Sequence, residues 1–128
     1  MASNPFTFTV TLTFTLTSQQ VADLITLAVE GGSPYWCKSF YLESIHPEVK
    51  LKPWYADPNL YDQAFEIHAQ PYDDPKTYRL TPVEVQAALE VMAKDLPHTL
   101  RNIIDNDLYT NDADAFLQLC LFGKVVYG

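Results

Sequence analysis

A strictly alternating stretch near the start of the chain, FTFTVTLTFTLT at residues 6–17, constrains the fold more than any other part of this sequence. Apolar residues occupy the six even positions and threonines occupy the six odd positions. Because successive side chains of a strand point to opposite faces, this pattern predicts a half-buried β-strand over residues 6–16. We expect this strand to lie centrally in a sheet. Its threonine face is suited to packing, or to contact with another subunit.

The first helix is predicted by its capping residues. Thr17 and Gln20 have the spacing of a capping box, and an apolar repeat of helical period follows, so we expect a helix over residues 18–30. Gly31 stands where a left-handed residue commonly ends a helix. A phosphate-binding loop places its glycines before a helix, whereas Gly31 and Gly32 come after one. The sequence therefore argues against a phosphate-binding loop here.

Two further helical regions occupy the second half of the chain. Thr81 followed by Pro82 is typical of a helix start, and Pro97 is expected to end or kink that helix. Helical periodicity then continues to the DND break. A last helix is predicted to begin with a cap at Asn111 or Asp112.

The remaining apolar segments read as strands. Residues 34–45 are expected to be extended, residues 64–69 alternate with period two, and residues 77–80 return as the second arm of a hairpin. Gly123 is expected to stop the last helix, and residues 124–128 (KVVYG) to form a short closing strand. The order β-α-β-β-β-α-α-α-β predicts an α+β fold, an antiparallel or mixed sheet with helices packed mainly on one face, in one domain spanning 1–128.

Composition limits the classes of function. The 128 residues, 48% of them hydrophobic, suit one globular domain and exclude a disordered tail. No apolar run approaches the length of a membrane span, so we expect a soluble, non-secreted protein. A net charge of −8 opposes direct binding of nucleic acid, which needs a footprint of lysine and arginine. The same charge is compatible with plain solubility or with imitation of a polyanion.

The two cysteines and three histidines do not form a recognisable catalytic or metal motif. We expect Cys37 and Cys120 to be free thiols, although one disulfide between them stays open. Cys37 as a nucleophile with His46, His68 or His98 as base is the catalytic alternative. A reactive thiolate is usually held at a helix N-terminus or beside a cation, whereas Cys37 follows a helix end. We therefore predict no catalytic residue, no metal, no cofactor and no enzymatic activity.

Aromatic and cationic residues in the middle of the chain form the predicted ligand site. Aromatic rings stack on bases, and one or two cations suffice for a small anion. The alternative is that the aromatic residues belong to the core and the polar ones to a solvated sheet face. The predicted ligand-binding residues are Trp36, Lys52, Trp54, Tyr55, His68 and Arg79.

Two stretches carry a family resemblance. VEGGSPYWC at residues 29–37 and DADAFLQLCLFGKVVYG at residues 112–128 resemble small uncharacterised proteins of phages and mobile elements. Those proteins share an EGGSxYW segment and an FLQxxxFGxxVYG signature. The resemblance brings no catalytic residues. It also suggests that the glycine turn lets Tyr35 and Trp36 approach the C-terminal signature, which would be a packing reason for both motifs.

The resemblance implies a counter-defence role in the cytoplasm of a bacterial host cell. Our first hypothesis is a homo-oligomer that binds and sequesters a small nucleotide-type immune signal, with no contact to membrane or nucleic acid. The alternative is an acidic protein that inhibits a CRISPR or other defence complex by imitating nucleic acid. That alternative would use the acids between Asp105 and Asp114.

Overall fold

A computed structural model describes residues 5–44 and 46–128 and has an α+β fold, with helices packed around a small antiparallel sheet. Within the described residues the sheet has three strands in the order β1-β2-β3. The elements are α1 (Ser18–Leu27), β1 (Cys37–Leu42), β2 (Ile67–Pro71), β3 (Tyr78–Leu80), α2 (Pro82–Asp95), α3 (Pro97–Ile104) and α4 (Thr110–Phe122). A π-helical turn (Ala28–Gly32) extends α1, and two 3₁₀ turns (Trp54–Ala56 and Pro58–Asp62) lie between β1 and β2.

Local capping residues predict the starts of α1 and α2 correctly. The Thr17 hydroxyl accepts a hydrogen bond from the Gln20 amide at 3.1 Å, and the Gln20 side chain accepts one from the Thr17 amide at 2.9 Å. The Thr81 hydroxyl accepts a hydrogen bond from the Val83 amide at 3.3 Å and so caps α2. Pro97 separates α2 from α3, because its ring cannot continue the preceding helix.

The sheet presents one buried face and one partly exposed face. Ile67 and Ala69 of β2 are fully buried, whereas His68 between them points to the other face. His68 is aligned with Tyr41 of β1 and with Arg79 of β3. His68 and Arg79 therefore lie on the same face of the hairpin.

Helix α4 is the centre of the core. A helix that is apolar or buried on all sides belongs in the interior, and nearly every residue from Asp112 to Leu121 is buried. It packs against α1, the π-helical turn, α2, α3 and β3. The largest fully buried apolar side chains are Leu24, Ile25, Leu60, Ile67, Leu80, Met92, Ile103, Phe116 and Leu117.

The predicted central strand over residues 6–16 is wrong. Residues 7–17 belong to none of the three strands in the described sheet, and the side chains of residues 5–15 are exposed. A period-two pattern specifies a strand only when a neighbouring strand supplies hydrogen bonds and a surface covers the apolar face. The helices already cover the buried face of β1–β3, so the sheet is complete without residues 6–17, which we call the arm; at its end Leu16 packs on the core and Thr17 caps α1.

Three boundary predictions also need correction. Residues 124–128 form no strand in the described chain, because the tail is held by a side chain rather than by a sheet edge. Gly31 is not left-handed, since the π-helical turn continues α1 through it. Helix α4 begins at Thr110 rather than with a cap at Asn111 or Asp112. Gly123 does end α4, with a left-handed φ of 74°.

Candidate functional site

The end of α1 and the start of α4 touch at the glycine turn. The Ser33 amide donates to the Ala28 carbonyl at 2.7 Å, which closes the π-helical turn. A Cβ atom on Gly32 would lie 2.3 Å from the backbone carbonyl oxygen of Thr110. The two backbones therefore approach more closely than a residue with a side chain allows, and glycine is required for a steric reason.

Asp114 of α4 is the polar centre of this contact. Its side chain is 9% exposed and accepts four hydrogen bonds from side chains. Ser33 Oγ and Trp36 Nε1 each donate at 2.7 Å, and Tyr35 Oη and Gln118 Nε2 each donate at 3.0 Å. A buried carboxylate is tolerated when its oxygens are satisfied in this way. We call these five residues the Asp114 clasp.

The predicted meeting of the two motifs in space is confirmed. Trp36 stacks on Tyr127 with ring centroids 5.2 Å apart and planes 3° from parallel, and it also contacts Phe122 at 5.4 Å. The Gln118 side chain accepts from the amides of Val126 and Tyr127, both at 2.8 Å. Trp36 is only 2% exposed, so it is part of the core and has no free face on which a ligand ring can stack.

A second group of the predicted site residues lies in the loop after β1. Trp54 is half-buried and stacks on Phe40 with centroids 5.7 Å apart. The Tyr55 hydroxyl donates to Glu30 at 2.7 Å, and burial together with that carboxylate raises the pKa of Tyr55 to about 12. Lys52 is exposed nearby in sequence. Both aromatic rings are thus largely engaged in packing.

His68 and Arg79 form a third group on the exposed face of the sheet. His68 Nε2 lies 2.7 Å from Glu66 Oε2, and His68 Nδ1 lies 3.3 Å from Glu43 Oε2. Arg79 Nη1 lies 3.7 Å from Glu66 Oε1. The two carboxylates compete with any anionic ligand for Arg79 and for the ring N–H of His68.

The six predicted residues therefore do not converge on one pocket. Phe40, against which Trp54 packs, and Tyr41, which is aligned with His68, are neighbours on β1 and point to opposite faces of the sheet. The sheet separates the loop group from the His68 group. Trp36 is inside the core.

The acidic stretch considered for imitation of nucleic acid is also divided. Asp112 and Asp114 are buried, and the Asp112 side chain accepts a hydrogen bond from Asn102 at 3.1 Å. Asp105 and Asp107 are exposed, and Asp105, directly after α3, lies 3.8 Å from Arg101 of that helix. Half of the carboxylates in this stretch are internal structural acceptors, which leaves no continuous acidic surface between positions 105 and 114.

Cys37 and Cys120 are both free thiols. Burial raises the pKa of Cys37 from 9.0 to about 11, and burial also raises the pKa of Cys120. Thiolate is the nucleophilic form, so the Cys37 environment opposes nucleophilic chemistry at neutral pH.

We expect the native Cys37 thiol to react with a disulfide reagent at about pH 8 roughly 100-fold more slowly than in the unfolded chain. Its raised pKa also means that the folded state holds the proton more tightly. That stabilisation is fully present below pH 9.0 and is lost as the pH rises towards about 11. The rate at which the disulfide reagent labels the protein is measured in buffer and in concentrated guanidinium. Mass spectrometry identifies which cysteine is labelled. Equal rates in the two states would contradict a shielded Cys37.

A different cleft brings aromatic and cationic side chains together. It lies between the β2–β3 hairpin and the tail that follows α4, and it has a volume of about 320 Å³. We call it the hairpin–tail groove. It is lined by Asp74, Lys76, Tyr78, Leu121, Phe122, Lys124, Val126 and Tyr127.

The aromatic wall of the hairpin–tail groove is a continuation of the core. Phe122 meets Tyr78 edge to face with centroids 4.7 Å apart, and it also contacts Tyr127 at 5.9 Å. Lys76 Nζ lies 4.8 Å from the centroid of the Tyr78 ring. Lys124 is exposed on the tail side of the groove. The groove thus has a lysine on each side and aromatic edges between them.

Two carboxylates at the groove are occupied by phenol hydroxyls. Tyr127 Oη donates to Asp73 at 2.6 Å, and this hydrogen bond is the main reason that the pKa of Tyr127 rises to about 12. Tyr78 Oη donates to Asp74 at 2.7 Å, which lowers the pKa of Asp74 and raises that of Tyr78. Both phenols remain protonated donors at neutral pH. One oxygen of each carboxylate therefore already accepts a hydrogen bond, and the lowered pKa of Asp74 keeps a negative charge in the lining of the groove.

Sequence reasoning missed the groove residues, although a signal was present. A lysine precedes an aromatic residue in both DDPKTY and FGKVVYG, the two segments that form the walls. Their distance along the chain hid the combination, because only the packing of α4 against β3 brings them together. From the sequence, residues 124–128 predict a strand and a packing contact, but not a wall of a groove.

Known proteins and simple site geometries add no further assignment. Within residues 5–44 and 46–128, no group of three or more histidine, cysteine, aspartate or glutamate side chains is placed to hold a metal ion. No helix in the same part of the chain is both long and apolar enough to cross a bilayer. The chain matches no protein-family model, and searches of curated proteins and of solved structures return no significant match.

Proposed function

We propose that this protein is a phage-encoded counter-defence protein that binds and sequesters a small nucleotide-type immune signal without catalysis. It acts as a homo-oligomer in the cytoplasm of a bacterial host cell. The phage context rests on the resemblance of the two motifs at residues 29–37 and 112–128. The binding proposal rests on the hairpin–tail groove, in which cations and aromatic rings line one cleft.

The chemistry of the groove suits a nucleotide. Lys76 and Lys124 offer charge to phosphate from two sides, and the rings of Tyr78 and Phe122 offer apolar surface to a base. The volume of about 320 Å³ lies at the lower end of the range for small-molecule sites, which favours one or two nucleotides over an oligonucleotide. A small anion responds to these local cations, whereas a long nucleic acid would experience the whole charge of −8.

We therefore assign ligand binding to the residues that line the hairpin–tail groove and not to the six residues predicted from the sequence. The nucleic-acid mimic is the weaker hypothesis, because Asp112 and Asp114 are buried and point into the protein. A mimic needs carboxylates spaced along an accessible surface. We therefore retain sequestration as the proposed function.

We expect the purified protein to retain a nucleotide when it is incubated with extract of cells whose immune signalling is active. Heat denaturation followed by mass spectrometry of the released small molecules identifies the compound. AMP and cyclic di-AMP serve as defined probes in isothermal titration calorimetry. Lys124→Met and Lys76→Met are each expected to weaken binding about tenfold, because each removes a charged partner of phosphate.

Lys94→Met is the matched control, since Lys94 is an exposed lysine in the last turn of α2 and does not line the groove. It should bind as the wild type does. If Arg79→Ala abolishes binding while Lys124→Met leaves it unchanged, the ligand sits on the sheet face and the groove assignment is wrong. If neither the extract nor the probes yield a bound nucleotide, the sequestration hypothesis fails.

A further inference from the structure

The arm does not line the hairpin–tail groove, and the inference drawn from it rests on the proposed homo-oligomer, for which it supplies an interface. Its apolar side chains are exposed to an unusual degree, from 82% at Phe8 to 58% at Phe14, with Val10 and Leu12 between these values. Scattered exposed apolar residues are common, but a row of them at every second position is not. Such a row indicates an interaction surface.

The sequence of the arm also lacks the usual protection against strand pairing. Exposed edges are normally blocked by charged residues, prolines or bulges, yet residues 6–17 contain neither a charge nor a proline. The edge strand β1 does have such protection, because its register with β2 shifts between Cys37 and Ser39. The edge at β1 is therefore protected against strand pairing, whereas residues 8–14 carry no such protection.

We propose that the arm forms an antiparallel β-ribbon with the arm of a second copy of this chain. The alternation of apolar residues and threonines restricts the register of the two strands. Apolar side chains of both copies share a face only when paired positions are both even, or both odd. The register with full overlap of residues 8–14 places Phe8 opposite the partner's Phe14 and Val10 opposite the partner's Leu12. Thr11 then faces its own counterpart on the two-fold axis.

The pattern of the arm favours another copy of the same arm as its partner. In this register every apolar residue meets an apolar residue and every threonine meets a threonine, so the strand is complementary to itself. Two whole chains of charge −8 repel one another, and the uncharged arm is a segment through which they can meet without local repulsion.

A groove beside the base of the arm offers cover for the ribbon. A two-stranded ribbon alone is only marginally stable, so its apolar face needs a surface to pack on. A groove of about 430 Å³ lies there, and Leu12, Phe14 and Leu16 of the arm already line it together with Val85 and Leu89 of α2. Because the partner's Phe8 pairs with Phe14, its ring arrives at this groove. With exposures of 82% and 58%, the four phenylalanine rings at positions 8 and 14 can bury roughly 400–700 Å². Val10 and Leu12 add to this area towards the roughly 1,200 Å² of a stable interface.

The first test changes the residue on the two-fold axis. Thr11→Glu and Thr11→Lys each place like charges directly opposite one another, and we expect each to raise the dimer Kd about fivefold or more. An equimolar mixture of the two variants should restore association, because glutamate then faces lysine. Sedimentation equilibrium measures the masses against the 14.5 kDa of one chain, and Thr11→Val is the neutral control. Thr11 is exposed and outside the core, so these variants fold.

The second test reads the register by disulfide cross-linking in a Cys37→Ser background. Thr11→Cys should cross-link with itself, because paired Cα atoms lie within disulfide range. Thr13→Cys should cross-link with Thr9→Cys and much more slowly with itself. Wild type that sediments as one chain up to roughly 100 µM overturns the proposal. A dimer that is insensitive to charge at Thr11 and cross-links at none of these positions overturns it as well, since it uses another surface.

Discussion

Replacing Asp114 with alanine is expected to lower the free energy of unfolding by roughly 4 kcal/mol. The substitution removes the acceptor of four side-chain hydrogen bonds, from Ser33, Tyr35, Trp36 and Gln118. Each buried donor left without a partner costs about 1–3 kcal/mol, and the sum is reduced because Tyr35 is exposed enough to reach water. Urea unfolding followed by tryptophan fluorescence and by circular dichroism measures the loss.

Asp107→Ala is the control for the Asp114 variant, because Asp107 is exposed and should change stability by no more than about 0.5 kcal/mol. A double-mutant cycle isolates one bond of the clasp. Trp36→Phe removes the indole N–H, and we expect its cost to fall by about 1–2 kcal/mol when Asp114 is already alanine. An Asp114→Ala loss below about 1 kcal/mol would show that the clasp contributes little to stability.

The second large effect is expected at Gly32, where alanine should cost roughly 3 kcal/mol. The added Cβ atom would lie 2.3 Å from the Thr110 carbonyl oxygen and 2.9 Å from the Asp114 Cβ atom. The first of these contacts is with backbone, so neither neighbour can move aside by a change of rotamer. The end of α1 and the start of α4 must separate, which also strains the clasp.

Gly128→Ala controls for the loss of glycine alone, because a Cβ atom there meets nothing within 4 Å. Gly123→Ala tests a different cost, since its φ of 74° strains any residue with a side chain by about 1–2 kcal/mol without a steric contact. Thermal and urea unfolding should therefore rank the three variants with Gly32→Ala lowest. A Gly32→Ala protein as stable as Gly128→Ala would show that the helices do not meet as described.

The parts of the fold that were predictable from sequence are those with local causes. Thr17, Thr81 and Pro97 act on the backbone within a few residues, so the helix boundaries they set were found without the structure. The seven elements from α1 to α4 follow in the predicted order. The strand predicted over residues 6–16 was wrong because an alternating pattern is compatible with a strand but does not identify the neighbouring strand that would pair with it.

The candidate site was less predictable, because it depends on contacts between distant segments. Trp36 and Tyr55 are predicted ligand-binding residues because they are aromatic. In the structure Trp36 is part of the core, and the Tyr55 hydroxyl donates a hydrogen bond to Glu30. Lys76 and Lys124 drew no attention, since each is a lone surface lysine in the sequence. Only the register of the hairpin against α4 shows that they flank one groove.

The tail after α4 has a consequence for how the molecule opens. A terminal segment usually frays independently of the domain, but the amides of Val126 and Tyr127 are held by Gln118, which is fully buried inside α4. Releasing the tail therefore uncovers Trp36 and leaves the side-chain oxygen of the buried Gln118 without its two donors, so the tail and the core form one cooperative unit. A ligand bound between this tail and the hairpin would therefore raise the free energy of unfolding of the whole domain by mass action. Its effect would not be limited to ordering the terminal segment.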